Sequence, residues 1–145
     1  MINDIIEDTK YKDLVSLQIK DTIDFLLERN QEFAITANIK AVKFNPDLPE
    51  ATKEQLSKFT LFILSNYTFT TIKLENNNLY FEAGFGSENF GSVVEVPLYS
   101  IFQIVLGESI LFVNPVATVE KFNEDTVEKS LNVFKSNPNN KNLIK

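Results

Sequence analysis

From Asp13 to Asn30, apolar side chains recur at steps of three and four: Val15, Ile19, Ile23 and Leu26 or Leu27. Lys20, Asp21, Asp24 and Glu28 fall elsewhere around the wheel. That spacing predicts an amphipathic helix. Asn30 is a suitable stop, because Asn tolerates the left-handed backbone at a helix end. The preceding Met1–Lys12 stretch is polar apart from Ile5 and Ile6, and reads as a first helical turn or a loose arm. At Phe33 the period changes to two. Through Phe44 one set (Phe33, Ile35, Ala37, Ile39, Ala41, Lys43) alternates with a second (Ala34, Thr36, Asn38, Lys40, Val42, Phe44), which predicts one long strand with a wetter face. Asn45-Pro46-Asp47-Leu48-Pro49 is a turn, since proline fixes its own backbone and restrains its neighbour. Ala51–Lys58 is polar and fits a helical turn or a loop.

Shorter segments follow. Phe59–Leu64 is a nearly continuous apolar strand, and Phe69–Glu75 alternates as a second one after Ser65-Asn66-Tyr67-Thr68. Asn76-Asn77-Asn78 signals a tight turn, with Leu79–Phe85 pairing back across it. A loop at Gly86–Gly91 leads to a strand at Val93–Pro97. Leu98–Leu106 is ambiguous between a helix opened by Pro97 and a strand, and Ser109–Val113 reads as a last short strand. Short strands at this spacing predict a mainly β fold, a sandwich or small barrel, with the helix in front as a cap. After Pro115, Val119, Phe122, Val127, Leu131 and Phe134 outline a weak amphipathic helix over 119–134. Ser136–Asn142 carries no pattern and is expected to be a flexible tail. One domain over 1–115, a helix within 116–135 and a tail at 136–145 is the resulting division.

Composition narrows the chemistry. In 145 residues there is no Cys, His or Trp, which removes thiolate and imidazole nucleophiles, bases and metal ligands. No disulfide can help, so the core must hold the fold unaided. Adjacent acids (Glu7 with Asp8, Glu124 with Asp125) read as solvation. Phe85-Gly86-Ser87 lacks both the flanks and the partner base of a nucleophile elbow. Gly84-Phe85-Gly86 follows a strand but opens no helix, unlike a phosphate loop. No enzyme activity, cofactor or metal is therefore expected. The net charge of −6, with Arg29 as the sole arginine, argues against nucleic acid. No stretch is long and apolar enough to span a membrane, and the N-terminus lacks a signal-peptide layout, so a cytoplasmic location is expected. Alternation in Phe81-Glu82-Ala83-Gly84-Phe85-Gly86 puts Phe81, Ala83 and Phe85 on one face, and Glu82 and Gly84 on the other. Small residues there admit another backbone or allow a bend in a barrel strand. Phe59, Phe62, Phe69, Phe81, Phe85 and Phe102 read mostly as core rather than as base-stacking platforms, because Lys58 and Lys73 are too sparse to accompany them.

The segment order carries a resemblance. A helix ending Phe25-Leu26-Leu27-Glu28-Arg29-Asn30-Gln31 and a long first strand come first. Leu79-Tyr80-Phe81-Glu82-Ala83-Gly84-Phe85-Gly86, Val94-Glu95-Val96-Pro97-Leu98 and Ile110-Leu111-Phe112-Val113-Asn114-Pro115 follow. From about Thr22 to Pro115, with small gaps near Gly91 and Gly107, this resembles the stringent starvation protein B (SspB) family. The resemblance implies an Sm-type barrel with a leading helix, usually dimeric. It implies an adaptor that holds ssrA degradation tags in an apolar groove and delivers tagged proteins to the ClpX unfoldase of the ClpXP protease. Carried over, Leu64, Ser65, Asn66, Tyr67 and Phe69 would line one side of the groove, and Ala83, Gly84, Phe85 and Gly86 the other. The strand holding Leu111 and Phe112 would close it. The family's ClpX-docking tail, of the type Leu-Arg-Val-Val-Lys, would correspond to Lys141-Asn142-Leu143-Ile144-Lys145. Leu143, Ile144 and Lys145 match, whereas Asn142 replaces the Arg and Lys141 stands where a Leu is common. A homodimer is expected, both from the resemblance and from the apolar stripe of the 13–30 helix, although that stripe could equally pack on the chain's own barrel. The rival reading is an Sm-like barrel that binds RNA or serves as a subunit of another assembly.

Overall fold

The computed structural model describes residues 2–123. Helix α1 (Ile2–Ile6) precedes the long helix α2 (Thr9–Glu28), which begins four residues earlier than its apolar period suggests. Asp8 explains the early start: its carboxylate accepts the Lys10 N–H at 2.7 Å and caps the first turn. At the other end Asn30 adopts φ 55°, as expected. The Gln31 N–H donates to the Leu26 carbonyl at 2.9 Å and the Asn30 N–H to that of Leu27 at 3.0 Å. These two bonds form a Schellman closure, which satisfies carbonyls the helix would otherwise leave open. Val15, Ile19, Ile23 and Leu26 are buried in the protein's own core. The stripe expected to support a dimer is therefore spent within the chain.

Among the described residues eight strands follow: β1 (Phe33–Asn38), β2 (Lys43–Asn45), β3 (Phe59–Leu64), β4 (Lys73–Glu75), β5 (Asn78–Phe85), β6 (Phe90–Pro97), β7 (Ile101–Leu106) and β8 (Ser109–Val113). They form two antiparallel four-stranded sheets, in the orders β3-β1-β7-β8 and β2-β6-β5-β4. The hydrogen-bond ladder does not close, so of the sandwich and the small barrel expected the closed barrel is not formed, and the strands make two separate sheets. The chain changes sheet four times, at two short 3-10 turns, Ile39–Ala41 and Leu98–Ser100, and through the connections 46–58 and 65–72. The inner faces of both sheets share one core, in which Phe62 meets Phe81 edge-on at 5.6 Å and Ile35, Leu79, Val94, Val96 and Ile104 are sealed from solvent.

Two predicted elements differ, and one left open is settled. The single strand over 33–44 is two strands in different sheets. The Asn38 side chain accepts the Lys40 N–H at 3.2 Å, and the Ile39 N–H turns to Lys58, which breaks the extended backbone between them. The strand expected over 69–75 is reduced to β4, because Asn66–Thr70 forms a short helix, α4, whose Phe69 packs edge-on against Phe33. The ambiguous 98–106 segment is a 3-10 turn followed by β7. Helix α3 (Glu50–Glu54) supplies the helical turn allowed for after Pro49. Asn76 and Asn77, at φ 51° and 61°, form the expected two-residue turn between β4 and β5.

Beyond β8 the chain is tied down by asparagines. The Asn114 carboxamide donates to the Tyr99 and Ile101 carbonyls, both at 2.9 Å, and accepts the Val116 N–H. Asn38 and Asn123 both donate to the Ala117 carbonyl at 3.0 Å. Of the helix predicted over 119–134, the described part is a 3-10 turn at Glu120–Phe122. Its remainder, the tail at 136–145 and Leu143, Ile144 and Lys145 lie outside the described residues. Among the described residues no helix is long and apolar enough to cross a membrane.

Candidate functional site

The site is built on the outer face of the β2-β6-β5-β4 sheet. Burial along β5 follows its period: Phe81 is sealed inside, whereas Glu82 and Gly84 face out. In β6, Ser92 and Val94 point inward, and Gly91 and Val93 outward. The register sets Gly84 directly opposite Gly91, and Glu82 opposite Val93. The two facing glycines add no side chains of their own to this patch, which is open above Gly91 and covered above Gly84 by the Asn89 side chain.

Walls rise on both sides of this floor. Tyr67 and Thr68 of α4 stand beside β5, while Asn45 and Pro46 stand beside β6, and together with Asn89 they enclose a cleft of about 480 Å³. The Ser92 hydroxyl donates to the Pro46 carbonyl at 2.7 Å and fixes one wall. The Tyr67 hydroxyl donates to the Glu82 carboxylate at 3.0 Å and fixes the other. That bond and the carboxylate's charge raise the Tyr67 pKa above the ordinary phenol value, because ionisation would set two negative groups together. Glu82 is the sole charged residue in the lining. The Asn89 carboxamide lies over Gly84, in the space a Cβ there would need.

The edge of β5 beside the floor also offers main-chain groups. Strand β4 pairs with β5 only from Asn78 to Tyr80. Past that point the Glu82 N–H donates to the Thr71 hydroxyl at 2.8 Å, which replaces the missing strand. Two residues on, Gly84 turns its N–H and C=O to the same side by the strand's alternation. A peptide laid there can add to β5 as a further strand, the mode in which main-chain bonds give affinity and side-chain pockets give selectivity.

Of the residues carried over by resemblance, the cleft brings together Tyr67, Ala83 and Gly84. Ala83 borders it, but its methyl group packs against the core. Leu64 is wholly buried. Ser65 precedes α4, and the Asn66 N–H, at a residue with φ 53°, donates to Glu32 at 2.7 Å. Phe69 packs on Phe33, and Phe85 sits edge-on to Phe44 at 5.4 Å and to Phe62 at 6.3 Å. Gly86, at φ 74°, borders a second depression of about 410 Å³ against α3, lined with Phe85, Phe90, Thr52 and Gln55. Leu111 and Phe112 lie on β8 at the edge of the other sheet and line neither cleft, so β8 does not close the site as expected.

Asn45, Pro46, Thr68, Glu82, Asn89, Gly91, Ser92 and Val93 were not among the expected lining. Asn45-Pro46 and Asn89 had only turn chemistry to mark them, and Gly91 gains its meaning from its pairing with Gly84. Comparison with known proteins returns no match: no family model, curated protein or solved structure aligns with the chain.

Proposed function

We propose that this protein is a non-enzymatic adaptor that binds an extended peptide of the ssrA degradation-tag type across the Gly84–Gly91 floor and presents tagged proteins to the ClpX unfoldase of ClpXP. One observation carries the reading: an open cleft, floored by paired glycines, lies alongside a β5 edge where β4 has stopped. Such a place suits a backbone better than a compact metabolite. The resemblance adds that the Leu79–Gly86 run, on which tag recognition was expected, is the strand bordering this cleft. The two-sheet fold is then an opened relative of the Sm-type barrel, working in the cytoplasm as a homodimer. Leu143, Ile144 and Lys145 would dock ClpX. Affinity comes from a small apolar area and a few main-chain bonds, less the cost of ordering the peptide, which puts Kd in the micromolar range.

Fluorescence anisotropy with a labelled ssrA-type peptide tests this. Saturable micromolar binding, lost on competition with unlabelled peptide, supports the reading. A folded sample that shows no binding at high micromolar peptide overturns it.

A further inference from the structure

The two central strands of the β2-β6-β5-β4 sheet carry one acid each, Glu82 on β5 and Glu95 on β6. Their surroundings differ. Glu95 stands opposite Lys43 in the register, and the two side chains pair at 3.6 Å. Lys73 belongs to the same row, opposite Tyr80. Glu82 stands one row nearer the glycines, between Val93 of β6 and the Tyr67 wall. Among the described residues only the Tyr67 hydroxyl donates to its carboxylate, through Oε1, and no lysine or arginine forms an ion pair with it.

A carboxylate is thus the only formal charge a ligand meets in the cleft, and the Tyr67 side chain beside it is 67% exposed. An aromatic ring next to a carboxylate is complementary to a cation, through the charge and through the negative face of the ring. The same carboxylate repels an acid, and the protein's net charge of −6 adds to that repulsion. The strand fixes where the cation comes. Glu82 and Gly84 lie two residues apart on one face of β5. An extended peptide repeats its side-chain direction at the same interval, so the cation belongs two positions from the residue at the Gly84–Gly91 pair. That neighbour has to be small, because the Asn89 carboxamide already fills the space over Gly84.

On the premise that the cleft seats a peptide, we propose that it selects tags bearing a lysine or arginine two positions from a small residue, with Glu82 holding the cation against the Tyr67 ring. Glu82 and Tyr67 are both exposed, so water screens the contact and it contributes selectivity more than affinity. A lysine at that position should tighten binding about fivefold over alanine. The overall charge of the protein would reward a lysine equally at every position of the peptide, whereas Glu82 rewards it at one.

A positional scan tests this on the full chain. Each residue of a labelled ssrA-type peptide is replaced in turn by Lys, Ala or Glu, and Kd is read by anisotropy. At one position the Lys form should bind about fivefold tighter than the Ala form, and the Glu form weaker than both. A Trp placed two positions away, at the glycine pair, should weaken binding. Glu82→Gln should erase the difference between the Lys and Ala forms, and Glu82→Lys should make the Glu form the tighter one, with thermal melts showing that both variants fold. Glu95→Gln should keep the wild-type preference. Peptides that bind with no preferred position for Lys, with an equal gain at every position, or with a preference that survives Glu82→Gln overturn the selectivity and leave peptide binding standing. Failure of every peptide to bind overturns the peptide reading and the selectivity together.

Discussion

Replacing Gly91 with Val should strengthen the fold and empty the cleft of ligand at the same time. A Cβ built at Gly91 meets nothing within 4 Å, and its φ is not in the left-handed region, so a side chain enters without strain. Glycine inside a strand carries excess unfolded-state entropy, and Val is among the better strand formers. Removing that freedom at a compatible position is worth about 0.4–1 kcal/mol. The new side chain stands on the outer face, in the same row as Gly84 and two residues from Val93. It therefore fills the floor on which the peptide would lie. Urea unfolding should show a higher midpoint at unchanged slope, and the melting temperature should rise by roughly 1–5 °C. Peptide binding, read by anisotropy on the same sample, should fall at least tenfold. Because the two effects have opposite signs, lost binding cannot be blamed on a damaged fold. A more stable Gly91→Val that binds peptide as well as wild type would refute the floor as the peptide's seat.

Other substitutions test other parts. Asn114→Ala removes the amide that satisfies two buried carbonyls and one N–H, so denaturant unfolding should show a loss of about 2–4 kcal/mol. Glu82→Gln removes the charge that opposes ionisation of Tyr67, and NMR titration should find that phenol closer to its ordinary pKa. Glu120 accepts from Lys58 at 2.9 Å and Lys40 at 3.0 Å, and those two bonds hold its pKa below the ordinary carboxylate value. Its contribution to stability is therefore present above the unfolded pKa and is lost as pH falls through the folded one. A Glu120→Gln variant should show a shallower loss of stability over that acid range in pH-dependent urea melts.

Local chemistry made part of this fold readable. The helical stripe, the Asn30 stop, β3 from Phe59 to Leu64 and the Asn76-Asn77 turn all declare themselves within a few residues, because each rests on a period or on one residue's backbone tolerance. The change of sheet after Asn38 does not. Alternation continues through Ile39, Lys40 and Ala41, and only the Asn38 side chain and a distant carbonyl on Lys58 turn the chain there. Helix α4 is hidden for a related reason. Asn-Tyr-Thr-Phe-Thr has strand propensity, yet contact with Phe33 places Phe69 on a helical turn. The cleft was half legible. Ala83-Gly84 marked β5 as a place of close approach, but its walls come from Asn45-Pro46 and Tyr67-Thr68, which only the tertiary fold brings together.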